Sequence, residues 1–176
     1  MAERFAGLRR DAVFVQTDYG RYRLKLERSW GLHQRTVVCI GLNPSTADNL
    51  TDDPTIRAMY GHCESWDRER LIMLNLFTLI ATEPKDLLKS EYPECGGSLD
   101  AWKEYMERPE KGLLVVAAWG AHGTFMQQDR KAMAWLDYWG IKAMCLGTND
   151  NGTPKHPLYI ARGTKLVPYY GRPSGR

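Results

Sequence analysis

Two asparagines, a group of loop aspartates and a histidine stand where an amide, a carboxylate or an imidazole can do chemistry. Asn43 lies in "VVCIGLNPSTAD", residues 37–48, where a short apolar run ends and a hydroxyl-rich loop begins. Pro44 holds the chain there away from helix and makes a rigid turn. An amide on such a turn either positions a water or a ligand amide, or bonds the neighbouring backbone as an Asx-turn. Asn75 interrupts the apolar run "LIMLNLF". A buried amide needs its hydrogen bonds met, by loop backbone or by a bound planar base or amide. His156, between Lys155 and Pro157, is either a surface histidine or an imidazole placed to donate to a developing anion. Asp48, Asp52 and Asp53 are candidates for a base or a metal ligand, although Asp53, just before Pro54, also reads as a helix cap. Arg57 meets a phosphate or forms a surface salt bridge. His122, in "WGAHG", caps the next helix or packs beside Trp119.

The elements that must position these groups follow from periodicity. "AVFVQTDYGRYRLKLERSW" alternates apolar and polar residues around Tyr19-Gly20, a β-hairpin over 12–18 and 21–27. Four short apolar runs, "RTVVCIGL", "RLIMLNLF", "KGLLVVAAWG" and "IKAMCLG", read as buried strands. Between them come helices opened by Asp53-Pro54, by Pro84, and by a Ser98 cap. A fourth, "TFMQQDRKAMAWLDYWG", is closed by Gly140. The tail after it, rich in Gly and Pro, reads as irregular. This alternation predicts an α/β fold: one domain, 1–176, three layers around a four-stranded mainly parallel sheet, plus the N-terminal hairpin. In such sheets the ligand crevice lies beyond the strand carboxyl ends. Four polar segments leave those ends: Asn43 to Asp48, Asn75, Gly120 to His122, and the loop reaching His156. They are expected to converge on one pocket.

Composition narrows the classes. The 176 residues are 43% hydrophobic and 26% charged, ordinary for one globular domain that buries its own core. The net charge of +3 fits a nucleic-acid partner without demanding one. No run approaches a bilayer span, and the first residues lack a signal-peptide core, so a cytoplasmic monomer away from membranes is expected. The four cysteines are far apart and form no CxxC pair, so reduced thiols and no metal or other cofactor are expected. No Walker A loop, GxGxxG, GxSxG or HExxH is present, which removes the readings those motifs carry.

Taken in order, four segments resemble the motifs of the uracil-DNA glycosylase superfamily. "GLNPS" is similar to the first motif of its mismatch-specific branch, and "LIMLNLF" to the strand ending in the base-recognising asparagine. "LLVVAAWGAHG" is similar to the third strand, and "KHPLY" to the last motif, which begins His-Pro-Ser in uracil-specific members. The match spans residues 36–159. A closer resemblance is to a family of bacterial and phage proteins, a numbered domain of unknown function. Its members carry GLNPSTAD, DDPT followed by Arg, an NLF strand, an AWG strand and G-x-P-x-HPLY, all present here.

The glycosylase resemblance implies roles. Asn43 would position the hydrolytic water with help from Asp52, and His156 would stabilise charge on the departing base. Asn75 would read the edge of a base flipped out of DNA, with Phe77, Tyr60 or Trp66 as its stacking platform. Gly41, Pro44 and Ser45 from the first motif, Gly120 and His122 from the third, and Pro157 from the last would complete the substrate site. Two departures stand out. Asn43 replaces the aspartate of the most active branch, and His-Pro-Leu-Tyr lacks the serine that grips a DNA phosphate. Three functions stay open: hydrolysis of an N-glycosidic bond of a modified or mismatched base in DNA; a non-catalytic base-binding module of a DNA-modification or defence system; and an enzyme on a free nucleotide.

Overall fold

The computed structural model describes residues 7–31 and 35–173; His33 lies outside them. The expected hairpin forms, with β1, Arg9–Thr17, antiparallel to β2, Gly20–Ser29. The four apolar runs become β3, Thr36–Gly41; β4, Arg70–Asn75; β5, Leu114–Ala117; and β6, Ala143–Cys145. β4, β3, β5 and β6 lie side by side and are mutually parallel.

The sheet is larger than the four strands expected. Among the described residues it has seven strands, in the order β1-β2-β4-β3-β5-β6-β7, and is mixed. β2 pairs antiparallel with β4, Leu26 opposite Met73, so the hairpin extends the sheet instead of standing beside it. The tail expected to be irregular supplies β7, Val167–Tyr169, antiparallel to β6. Pro168 hides that strand from sequence reading, yet an edge strand tolerates a residue without an N–H.

The apolar runs are continuous because both faces of the parallel strands are covered. On one face, Val37 and Cys39 of β3 and Leu71 and Met73 of β4 pack against Ile56, Met59 and Cys63 of α1, Pro54–Ser65. On the other, Val38, Ile40, Ile72 and Leu74 meet helix residues from three elements. These are Leu87 of α2, Pro84–Lys89; Trp102 and Met106 of α3, Ser98–Met106; and Leu136 of α4, Gln128–Tyr138. Burying each aliphatic side chain contributes about 2 kcal/mol.

Helix ends follow the expected chemistry with two exceptions. Asp53 caps α1, its Oδ1 accepting from the Ile56 N–H at 2.9 Å. α3 is not capped by Ser98, which is its first residue; Gly97, at φ 98°, precedes it without a side-chain cap. The long helix expected from Thr124 breaks into a 3-10 segment, Ala121–Gln127, and then α4, because Met126 and Gln127 adopt left-handed backbone.

β3 feeds α1 on one face, and its neighbour β5 leads to α4 on the other. Connections diverging from adjacent parallel strands leave a crevice at their carboxyl ends.

Candidate functional site

A cavity of about 570 Å³ occupies that crevice, within the range of pockets that take one small ligand. All four polar segments expected to converge there contribute to its wall. Gly41, Asn43, Ser45, Asn75, Gly120, His122 and His156 line it. Pro44, Asp52, Phe77 and Pro157 do not.

Asn75 ends β4 directly beside Gly41, its partner in the parallel register with β3. The asparagine is only 4% exposed, and among the described residues its Nδ2 has no hydrogen-bond partner. A buried donor left without an acceptor costs about 1–3 kcal/mol. The loop-backbone alternative for this amide is therefore not realised at Nδ2. Gly41 makes the arrangement possible, since a Cβ there would come within 2.9 Å of Asn75 Oδ1.

Asn43 does what its turn suggested and more. Its Nδ2 donates to the carbonyl of Pro44 at 2.9 Å and to that of Ala81 at 2.7 Å. Both donors are committed, so Oδ1 is held as the available acceptor on the cavity wall. Pro44 thus acts behind the wall, and its carbonyl also accepts from the Ala81 N–H.

His156 caps the 3-10 turn Pro157–Tyr159, its Nδ1 accepting from the Leu158 N–H at 3.3 Å. An accepting Nδ1 puts the ring proton on Nε2 in the neutral imidazole. Burial holds this imidazole below its ordinary value, with the Asp53 carboxylate partly opposing. The ring is therefore a neutral N–H donor at the cavity. Pro157 turns away, its carbonyl against His62 Nε2.

Asp52 sits elsewhere. Its carboxylate accepts from Arg28 Nε at 2.8 Å and from the Tyr60 hydroxyl at 2.9 Å, with Arg10 at 3.5 Å. Arg28 is fully buried and also donates to the carbonyls of Glu27, Asp48 and Thr51. This pair anchors the 48–52 loop, and Asp53, one residue on, is the carboxylate that lines the cavity. Asp48 is likewise spent locally: its Oδ1 accepts from the backbone of Leu50 and Thr51 and from the Thr51 hydroxyl, which hold its pKa down. Arg57 donates to the Asp52 carbonyl.

The expected stacking platforms are also placed elsewhere. Phe77 is core, packed on Phe125; Trp66 stacks on His62; Tyr60 is bonded to Asp52. The aromatic groups on the cavity are Trp119 and Tyr159. Trp119 is buried with its Nε1 unpartnered, and only a glycine at 123 leaves room for its ring. Tyr159 is 81% exposed at the rim.

Arg23, on β2, also lines the cavity, and sequence reading missed it. Alternation in "RYRLKLER" makes Arg23 a solvent-facing strand residue. Nothing in the sequence says that its side chain ends up 2% exposed, with Nη1 on the Ala47 carbonyl of the first-motif loop. Its signal was the hairpin itself, once β2 is known to pair with β4.

Other reactive groups are quiet. Burial pushes the Cys39 thiol up to about 12 and raises that of Cys63 as well. Among the described residues no group of three or more His, Cys, Asp or Glu is placed to hold a metal ion. Nor is any described helix long and apolar enough to cross a membrane.

In comparisons with known proteins, a family model described as a protein of unknown function (DUF1643) matches residues 21–158. No curated protein and no solved structure matches the chain.

Proposed function

Taking as premise that the chain belongs to the DUF1643 family, we propose that the cavity receives a nucleobase and that its side chains hydrolyse the N-glycosidic bond holding it. The observation that carries this reading is Asn75, whose buried, unpartnered Nδ2 stands at the wall of a cavity sized for one small ligand. An asparagine amide offers a donor and an acceptor side by side, the complement of a base edge. The four ordered motifs that resemble uracil-DNA glycosylases support the same assignment.

The chemistry needs three things. The bond from the sugar anomeric carbon to the base nitrogen breaks with its electron pair going to the base. His156 Nε2–H donates to the anion that forms there, a placement worth several kcal/mol in a dry site. A water held by Asn43 Oδ1 adds to the anomeric carbon and loses its proton to solvent or to Asp53. The negative charge of Asp53 also suits the cationic character of the sugar as the bond opens. A base in DNA would have to be extruded into the cavity, past Tyr159 and His122 at the rim.

The test is incubation with oligonucleotides carrying uracil, mismatched thymine or hydroxymethylated pyrimidines, and with free nucleosides and nucleotides, scoring base release. Base release should fall roughly a hundredfold in His156→Gln, the loss typical of removing one donor to a developing anion. Folded protein that releases no base from any of these substrates would sink hydrolysis.

One observation favours a second reading, a base-binding module without hydrolysis. Asn43 cannot ionise, and Asp52 lies outside the cavity. Ligand binding that depends on Asn75, with no base release, would establish that reading.

A further inference from the structure

Two arginines of β2 are buried, and they are not alike. Arg28 spends its guanidinium on Asp52 and three backbone carbonyls. Arg23, 2% exposed, makes one side-chain hydrogen bond among the described residues, from Nη1 to the Ala47 carbonyl at 2.6 Å. Its Nε is buried without a partner, and among the described residues no carboxylate lies within ion-pairing distance of it. Asp53, which lines the same cavity, is the strongest compensating charge.

A buried cation is ordinarily paired, because its desolvation costs several kcal/mol that one neutral hydrogen bond does not return. Arg28 obeys that rule through the protein alone. Arg23 obeys it only if an anion enters the cavity it lines. A guanidinium has a planar fork of donors that matches a phosphate or carboxylate two bonds at a time. Arg23 is 2% exposed, so an anion meets it only at the cavity wall and not on the outer surface, where the unextruded phosphodiesters of a polymer lie. The anion has to come in with the ligand.

We propose that Arg23 is the phosphate subsite of the cavity and that the ligand is a free nucleoside monophosphate, taken in whole with its base at Asn75. This rests on the nucleobase reading above and narrows it from a base in a polymer to a monomer. The phosphate end engages Arg23 Nε and its remaining N–H groups, while Nη1 keeps the first-motif loop in place through Ala47. The hairpin then has a ligand-binding role as well as a structural one.

The test is calorimetric titration of the unmodified chain with the nucleosides of the five common bases and with their 5′-monophosphates. Inorganic phosphate and a short single-stranded oligonucleotide complete the set. At least one monophosphate is expected to bind roughly tenfold or more tighter than its nucleoside, as charge-assisted bonds to a buried guanidinium require. Arg23→Gln should bring that ratio to about one, and Arg23→Lys should keep part of it. If Arg23→Gln does not fold, the ratio in the unmodified chain decides alone. Equal affinity for nucleoside and monophosphate, or tighter binding of the oligonucleotide than of every monomer, overturns the Arg23 assignment and leaves the nucleobase reading standing. Binding of monophosphates no better than inorganic phosphate, whatever the base, overturns the nucleobase reading instead. Binding of none of these probes overturns both.

Discussion

Gly41 and Asn75 are register partners on adjacent parallel strands, and the missing side chain of the first makes the space that the amide of the second occupies. A Cβ at 41 would lie 2.9 Å from Asn75 Oδ1, closer than real Cβ contacts allow. Gly41→Ala should therefore push the Asn75 amide out of position with little change in folding. Affinity for the best nucleobase ligand should drop at least tenfold, about 1.4 kcal/mol, while stability changes by less than about 2 kcal/mol. Calorimetry alongside thermal melting checks both halves, and unchanged affinity would show that Asn75 is not read there.

Asn75→Leu should have opposite effects on folding and binding. It replaces an amide with an orphaned buried donor by an apolar group of similar size, so the ligand-free protein should gain about 1 kcal/mol. The melting shift produced by a nucleobase ligand in the unmodified chain should vanish. A less stable variant would mean that the amide is satisfied in the free protein.

The asparagine of the first motif donates to two carbonyls, which an aspartate could not do. In Asn43→Asp both donors are lost, and a carboxylate oxygen faces the carbonyls of Pro44 and Ala81. The loss should be on the order of 2–4 kcal/mol, read by chemical denaturation. A variant that unfolds at the same denaturant concentration as the parent would contradict the assigned orientation of the amide.

Asp52→Asn tests the carboxylate that sequence reading placed in the site. Removing its charge leaves Arg28, fully buried, without its ion pair, at a cost of about 3 kcal/mol. The fraction that stays folded at low temperature should bind ligand as the parent does. A binding defect without a stability defect would return Asp52 to the site.

His156 sets a pH dependence of stability. Its folded value lies below the ordinary 6.5, so between the two values the unfolded chain holds more protons than the folded one. The contribution is fully present above about pH 6.5 and is lost as pH falls toward the folded value. It levels off once both states are protonated. Melting at pH 7.5 and pH 5.5 should show a larger drop for the parent than for His156→Gln. Equal drops would mean that the ring is solvated.

The amino-acid sequence alone determined the parts of this protein that depend on local rules. Four apolar runs announced strands buried on both faces, since such strands need no alternation. Asp53-Pro54 announced a helix start, and the order of strands and helices placed Asn43, Asn75 and His156 at one edge of a sheet. Only the tertiary structure decided what depends on contacts between distant segments. Periodicity shows that the hairpin alternates, but not that β2 joins β4 or that Arg23 is buried with its Nη1 on the Ala47 carbonyl. It cannot separate Asp52 from Asp53, because the two differ by one step around a helix cap and by the position of Arg28, which lies 24 residues away from Asp52. Nor can it find β7, whose three residues carry no pattern of their own and exist as a strand only because β6 offers an open edge. Burial and charge pairing are properties of the packed chain, and they turned a polar hairpin residue into the cation of the cavity.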